Sequence, residues 1–490
     1  MKHIVNPYLP SWEYVPDGEP HVFEDRLYIY GSHDRAHGSA YCEEDYVGWS
    51  APVTDLSDWR YEGIIYRKDQ DLGNENRKNQ MFAPDAVRGP DGRYYLYYGL
   101  SDVKYIGVAV SSRPGGPFEY YGRVEYADGS YPVGWAFDPA VLVEENHIYL
   151  YYGFSPKVDR SLENKYSQFG EVMPGAYMVQ LETNMKTVIS EPVLIANGYT
   201  SANKTCFFNH PFLEASSIRK IGNRYYFIYS SLQGHELCYA TSDCPAGPFQ
   251  YRGVIISNGD IGLKNGPSAF YANNHGSIVE IKGQYYIFYH RHTHGTHYSR
   301  QGCAEKITIL ENGEIPQVEV TSCGLNDGPL PATSSFWAYI ICNLLGPRGA
   351  ELIPSKPPYE ETTPYLTETY EKKRENRNLY LCNLQSGAIC GVKYLLFSNE
   401  ITISLTVRGK KGTIEVLLDS QDGEQIARID LAQSTNEWVK YQTAMRCVQG
   451  KHAVYFRFNP ESGSMDFLKF EFETADTEKR RLMHVEGRTK

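Results

Sequence analysis

The stretch APDAVRGPDGRYYLYYGLSD, Ala83 to Asp102, decides the fold. Pro90-Asp91-Gly92 supplies a tight turn, and the runs on either side are rich in Val, Leu and Tyr with period-two alternation, which reads as a β-hairpin. The same design recurs as GEPHVFEDRLYIYGSHD from Gly18, FDPAVLVEENHIYLYYGFS from Phe137, LEASSIRKIGNRYYFIYSS from Leu213 and NHGSIVEIKGQYYIFYHRH from Asn274. The positions that open the copies, 19, 85, 138, 214 and 275, lie 53 to 76 residues apart, enough for roughly four strands and their loops. A second signature follows the hairpin: VAVSSRPGGPFEYYG from Val108, YATSDCPAGPFQYRG from Tyr239 and, more loosely, WSAPVTDLSDWRYEG from Trp49. These read as the outer strands of the same unit. Five repeats of one four-stranded design predict an all-β, five-bladed β-propeller over residues 1–320.

Composition agrees. The 490 residues include 41 tyrosines against 20 phenylalanines, with 43 glycines and 27 prolines, and show almost no helical periodicity. Tyr joins high strand propensity to a polar tip, which suits a β protein with aromatic clefts. A net charge of −11 without a clustered basic surface argues against nucleic acid. No apolar run approaches the roughly 18 residues of a membrane span, and the opening MKHIVNPYLPSWEY lacks a signal-peptide core, so a cytoplasmic location is expected. Ten cysteines with no CxxC pair read as reduced core residues rather than as disulfides or zinc ligands.

Residues 321–352 break the repeat, and their apolar run FWAYIICNLL is expected to pack one domain on the other. From 353 to 475 short alternating strands return (ITISLTVRG, TIEVLLDS, KHAVYFRFN, MDFLKFEFE), predicting a compact β-sandwich, and 476–490 read as a polar tail.

In a propeller the innermost strands converge on the axis, so the residues that open the repeats nominate a site: Glu19, Asp85, Asp138, Glu214 and His275. Clustered carboxylates repel and desolvate one another unless function requires them. A pair of carboxylates across an aromatic cleft is what glycoside hydrolysis uses, one protonating the leaving oxygen and one activating water. A third beside the acid raises its pKa by like-charge repulsion.

Residues 5–320 resemble glycoside hydrolase family 43, five-bladed propellers acting on arabinose- and xylose-containing polysaccharides. Phe137-Asp138-Pro139 resembles that family's pKa-modulating Asp motif, and Glu214-Ala215-Ser216-Ser217 with Arg224-Tyr225-Tyr226 its general acid. Phe82-Ala83-Pro84-Asp85 resembles the segment lining the sugar subsite, with Phe where Trp is usual, and Arg300 resembles the arginine that closes that subsite. In blade one the family places an Asp-Pro base, whereas this chain reads Asp17-Gly18-Glu19-Pro20. Alignment on the proline makes Glu19 the base. Asp17, two residues earlier, is the other candidate, though it also reads as a simple turn residue.

By the same analogy His275 is a candidate holder of a channel ion. The histidines at 290, 292, 294 and 297 are not expected to bind zinc, because strand alternation separates their directions. Residues 353–475 resemble carbohydrate-binding module family 6, which makes Asp466 a candidate for a structural calcium; Trp438 and Tyr441 read as core or sugar-stacking residues. No cofactor is expected to be required, with calcium the ion the resemblance allows.

The resemblance implies an inverting exo-glycosidase releasing terminal α-L-arabinofuranosyl or β-D-xylosyl units from pentose-containing oligosaccharides. The alternatives are an endo-arabinanase or a fructan- or sucrose-acting enzyme, and a non-catalytic carbohydrate-binding propeller.

Overall fold

A computed structural model describes residues 4–134, 136–157, 173–354, 363–368 and 378–475. The expected polar tail lies outside them. The first part of the chain folds into five antiparallel sheets arranged as blades. Blade one comprises Glu19–Phe23, Arg26–Tyr30, Tyr46–Pro52 and Arg60–Tyr66, paired in chain order. Blades two to four repeat this from Met81–Arg88, Ala140–Glu144 and Phe212–Ile221. The innermost strands of consecutive blades lie side by side, and the first blade touches the fifth.

Blade five differs from expectation. Among the described residues it has three strands, Ile278–Ile281, Gln284–His292 and Arg300–Ile307. The chain leading into blade one runs along its outer strand: the Tyr8 amide donates to Gly302 O at 3.3 Å, and Asn6 Nδ2 donates to Ala304 O at 3.0 Å while Asn6 Oδ1 accepts from the Ala304 amide at 2.9 Å. The ring is thus closed by segments from opposite ends of the repeat.

The blades explain the tyrosines. Each second strand is sandwiched between neighbouring blades, so Tyr94–Leu100 is buried along its whole length. A buried phenol needs a hydrogen-bond partner, and here it finds one in the next blade. Tyr30 donates to Pro114 O at 2.7 Å, Tyr97 to Met185 O at 2.5 Å and Tyr151 to Pro245 O at 2.8 Å. Pro114 and Pro245 belong to the second recurring signature, so the two repeated motifs are the halves of one inter-blade tie.

The second part is a β-sandwich of two six-stranded sheets around Phe456, Phe467 and Phe470. Residues 330–345, expected to lie between domains, instead supply edge strands to both sheets: Leu330–Pro331 and Asn343–Leu345 to one, Ser335–Trp337 to the other. Their large apolar residues need the sandwich core. Lys393, buried in the sandwich, reaches Asp260 (3.2 Å) and Glu319 (3.0 Å) on the propeller side. No helix among the described residues is long and apolar enough to cross a membrane.

Candidate active site

A cavity of about 280 Å³ opens at the axis, lined from every blade. Blade one and its loop supply Asp17, Tyr41 and Cys42, blade two Phe82 and Ala83, blade three Phe137, Asp138 and Phe154, blade four Leu213 and Glu214, and blade five Asn273, His275 and Arg300. Phe82, Phe137 and Phe154 form a continuous aromatic wall, with ring centroids 5.2 and 4.9 Å apart.

Local backbone irregularity aims the carboxylates. Asp17 and Asp138 have left-handed φ values of 57° and 46°, and Ala215 has 66°. The innermost strand of blade four shifts register on both sides of Glu214, which turns that side chain toward the cavity. Left-handed residues without glycine carry strain that the surroundings must hold. For Asp138 the holding contact is its Oδ2, which accepts from the Ala215 amide at 2.8 Å.

The three carboxyls differ in charge. Burial alone would raise Asp17, but the Arg300 guanidinium, donating to its Oδ1 at 2.8 Å, and His290 hold it far below the usual carboxylate range. His290 Nε2 faces the Asn273 carbonyl oxygen at 2.7 Å, and its Nδ1 lies 3.2 Å from Asp17 Oδ1. Glu214 is pushed up to about 7 by burial and by the negative charge of Asp17. Asp138 is raised by burial and by Glu214 and Asp17. Asp138 and Glu214 therefore retain a proton between them near neutral pH while Asp17 is ionised.

Glu19, the expected base, does not line the cavity. It lies deeper on the axis, where its Oε2 accepts from Arg219 Nη2 at 2.7 Å and Ser217 Oγ at 3.2 Å. Two residues along a strand is one side-chain repeat, so the Asp17 and Glu19 readings differ by one level of the channel. Asp17, beyond the strand in the turn, takes the upper level. Asp85, expected at the sugar subsite, is on the lower level too, completely buried, bonded to His21 Nε2 at 2.6 Å and accepting from the Val141 amide at 2.8 Å. Its tie to blade three matches that of Asp138 to blade four, so both acids staple adjacent blades. Phe82, Asp138, Glu214, His275 and Arg300 all reach the cavity.

His275 joins the two levels, its Nδ1 3.6 Å from Asp138 and its Nε2 3.9 Å from Glu19 Oε1. Burial and the neighbouring His290 and Arg300 hold it near 4, well below an ordinary imidazole, and therefore neutral. Its Nε2 and Glu19 Oε1 are both buried without a hydrogen-bond partner. The gap between them suits a small polar guest, water or a cation. The donor atoms of Glu19, His21 and Asp85 also lie within 4.8 Å of one another. Two carboxylates fall short of the six to eight oxygens calcium takes, so water would complete any such shell.

The sequence of residues 19–315 matches the profile of glycosyl hydrolases family 43, and residues 363–474 match carbohydrate binding module (family 6). A xylosidase/arabinosidase of Thermoclostridium stercorarium is 46% identical over 96% of this chain and 98% of its own length. The chain belongs to glycosyl hydrolases family 43. A second relative, a xylosidase/arabinosidase of Bacteroides ovatus, is 32% identical over 58% of this chain and 87% of its own. Among solved structures, a family 43 enzyme from Xanthomonas citri complexed with xylotriose aligns with TM-score 0.52 and 26% identity over 66% of this chain and 96% of that one. An arabinoxylan arabinofuranohydrolase of the family from Bacillus subtilis, in complex with cellotetraose, aligns with TM-score 0.51 and 22% identity over 96% of this chain and 97% of that one, a likeness of fold.

In this family 43 hydrolase the sandwich residues depart from expectation. Asp466 is paired with Arg408 at 2.8 Å and accepts from the Asn383 amide at 3.3 Å, and among the described residues it belongs to no group of metal donors. A calcium there would have to displace the guanidinium, so the residues do not fit the ion. One face of Trp438 is covered by the same guanidinium, 4.4 Å from its ring, and Tyr441 packs against the sandwich core. Strand alternation does not separate the histidines, since positions two apart share a face: the His292 ring lies 5.4 Å from that of His290 and 5.7 Å from that of His297, with His290 and His292 bonded to Asn273 and His297 between Tyr41 and Ile353. Tyr41, Phe154 and Asn273 line the cavity without having been singled out in the sequence. Tyr41 and Asn273 sit in loops outside the repeat, and Phe154 just past the last strand residue of its third copy, where no periodicity marks them.

Proposed function

We propose that this chain is an inverting exo-glycosidase that removes terminal α-L-arabinofuranosyl or β-D-xylosyl residues from pentose-containing oligosaccharides, with Glu214 as general acid and Asp17 as general base. The observation that carries the reading is the opposite ionisation of Asp17 and Glu214 across one cavity, the first pinned as an anion by Arg300 and the second kept protonated near neutrality. Two carboxyls whose surroundings push their pKa values apart define an acid and a base.

In this mechanism Glu214 gives its proton to the glycosidic oxygen as the bond to the anomeric carbon breaks. Asp17 takes a proton from the water that attacks the opposite face, and the products are the free sugar of inverted anomeric configuration and the shortened chain. Asp138, itself raised by the charge of Glu214, positions Glu214 by accepting from the amide of the next residue, Ala215. The aromatic wall covers the apolar faces of a pentose ring, and the axis below is filled by Glu19, His21, Asp85 and His275, which favours a blind pocket and hence release of terminal units. A calcium beside His275 would supply positive charge beneath the carboxyls when bound. The names of the relatives, xylosidase/arabinosidase, point to the same two sugars.

The test is hydrolysis of nitrophenyl α-L-arabinofuranoside and nitrophenyl β-D-xyloside side by side, with proton NMR of the first-formed anomer. Release of nitrophenol from at least one, with inverted sugar, is expected. Inactivity on both, or a first product of retained configuration, would overturn the proposal.

A further inference from the structure

The loop that carries Arg300 into the cavity is anchored from outside the propeller. It joins strands Gln284–His292 and Arg300–Ile307, and its His294 amide donates to Leu366 O in the sandwich at 2.7 Å. His297 Nε2 lies 2.7 Å from the carbonyl oxygen of Ile353, in the segment that leads into the second domain. That segment is itself fixed, since the Ile353 amide donates to Tyr271 O at 2.8 Å. A carbonyl only accepts, so His297 carries its proton on Nε2, and its Nδ1 accepts from the Tyr41 hydroxyl at 2.8 Å. Tyr41 in turn lies over the Arg300 guanidinium, 4.9 Å from its ring centre, and lines the cavity.

These contacts form one line: Ile353 carbonyl, His297, Tyr41, Arg300, Asp17. We propose that His297 is a positioning residue through which the interdomain segment seats Tyr41 on Arg300 and so completes the sugar-binding cavity, making the C-terminal part of the chain a component of the site rather than an appended module. The inference rests on the cavity being the sugar site proposed above. A loop between two strands is ordinarily among the more mobile parts of a fold. Here the loop is bonded at His294 to the second domain and at His297 to the segment that leads into it, so the turn that ends at Arg300 is anchored at two points.

Two replacements separate the ends of this line. In His297→Gln the amide nitrogen takes the place of Nε2 and keeps the bond to Ile353, while the acceptor for Tyr41 is lost. In His297→Asn the amide oxygen takes the place of Nδ1 and keeps the acceptor, while the bond to Ile353 is lost. Tyr41→Phe keeps the ring over Arg300 and removes only the hydroxyl.

The experiment measures kcat and KM on both nitrophenyl pentosides, calorimetric binding of free xylose and arabinose, and thermal midpoints for the wild type, the three variants and the Tyr41→Phe/His297→Gln double variant. Expected is a rise of about tenfold in KM and in pentose Kd for His297→Gln and for Tyr41→Phe, with the double variant no worse than either, because both cut the same link. His297→Asn should show a smaller rise. His297→Gln binding and turning over within twofold of wild type, or losses that multiply in the double variant, would overturn the proposal. So would a loss in His297→Gln that His297→Asn shares in full together with a lowered midpoint, which would mark a purely structural histidine. Wild-type inactivity on both glycosides would count against the catalytic reading alone, since the pentose-binding arm still decides the role of His297.

Discussion

Arg300 Nη1 donates to Asp17 Oδ1 at 2.8 Å, while Nε and Nη2 of the same guanidinium clamp Asp34 at 2.9 and 3.0 Å. One cation thus serves two buried carboxylates, and the bidentate edge goes to Asp34, which never meets the cavity. Asp34 fixes the arginine, and the arginine sets the charge of Asp17. Lysine keeps the charge but cannot reach both partners in a fixed fork. Arg300→Lys is therefore expected to raise the Asp17 pKa. Because Asp17 acts as an anion, the acid limb of kcat/KM should move to higher pH, with a fall of about a hundredfold at the optimum. An unmoved acid limb in a folded Arg300→Lys protein would refute the coupling.

The two candidate bases are separated by amide replacement. Asp17→Asn should lower kcat by on the order of 10³-fold, the usual scale for loss of a general base. Glu19→Gln keeps an acceptor for Ser217 and Arg219 and should stay within about tenfold of wild type. The reverse ranking would return the base to Glu19.

Glu214 fixes the alkaline limb. Its pKa is raised to about 7, and the proton it must donate is present below that value and lost above it. Activity should fall as pH rises through about 7. In Glu214→Gln the natural linkage should be cleaved on the order of 10³-fold more slowly, and the limb should vanish from the residual rate on a good leaving group. An alkaline limb that persists in Glu214→Gln would assign it to another residue.

Much of this was legible in the sequence, and the failures at the site share a cause. The hairpin repeat carries the blades because a strand buried between its neighbours needs the same apolar and aromatic pattern in each copy, and in blades one to three a phenol at that strand ties it to the next blade. Asp138 and Glu214 could be found by aligning those hairpins. Glu19 and Asp85 could be found too, but alignment cannot tell which level of a converging channel a side chain occupies, and one pleat repeat separates Asp17 from Glu19. A sugar site and an inter-blade staple use the same acidic residues at the same distance from the axis. Residues 330–345 were misplaced for a different reason: short edge strands such as Ser335–Trp337 carry too little alternation to be read before the partner sheet is known.

The inter-blade phenols predict a stability pattern. Tyr151→Phe leaves the Pro245 carbonyl without its donor and should cost about 1 to 2 kcal/mol in denaturant unfolding, as should Tyr30→Phe at Pro114. Their effects should add, since they tie different pairs of blades. Unchanged stability in both would mean that the tyrosines serve as apolar filler only.

Lys393 offers the sharpest test of how the two parts are joined. Its ammonium is fully buried between Asp260 and Glu319, and Cys342 together with these two carboxylates outweighs burial and raises its pKa, so it stays charged. Lys393→Met fills similar volume but leaves Asp260 buried beside no cation, a loss of about 3 to 5 kcal/mol for a broken buried pair. The double replacement Lys393→Met/Asp260→Asn removes both charges of the tighter-buried pair and should recover a large part of that loss. The recovery should be visible in the thermal midpoint and, if the second domain holds the Arg300 loop, in KM for the pentoside as well. A Lys393→Met protein as stable as wild type would show that the two parts are held together by their apolar contacts alone.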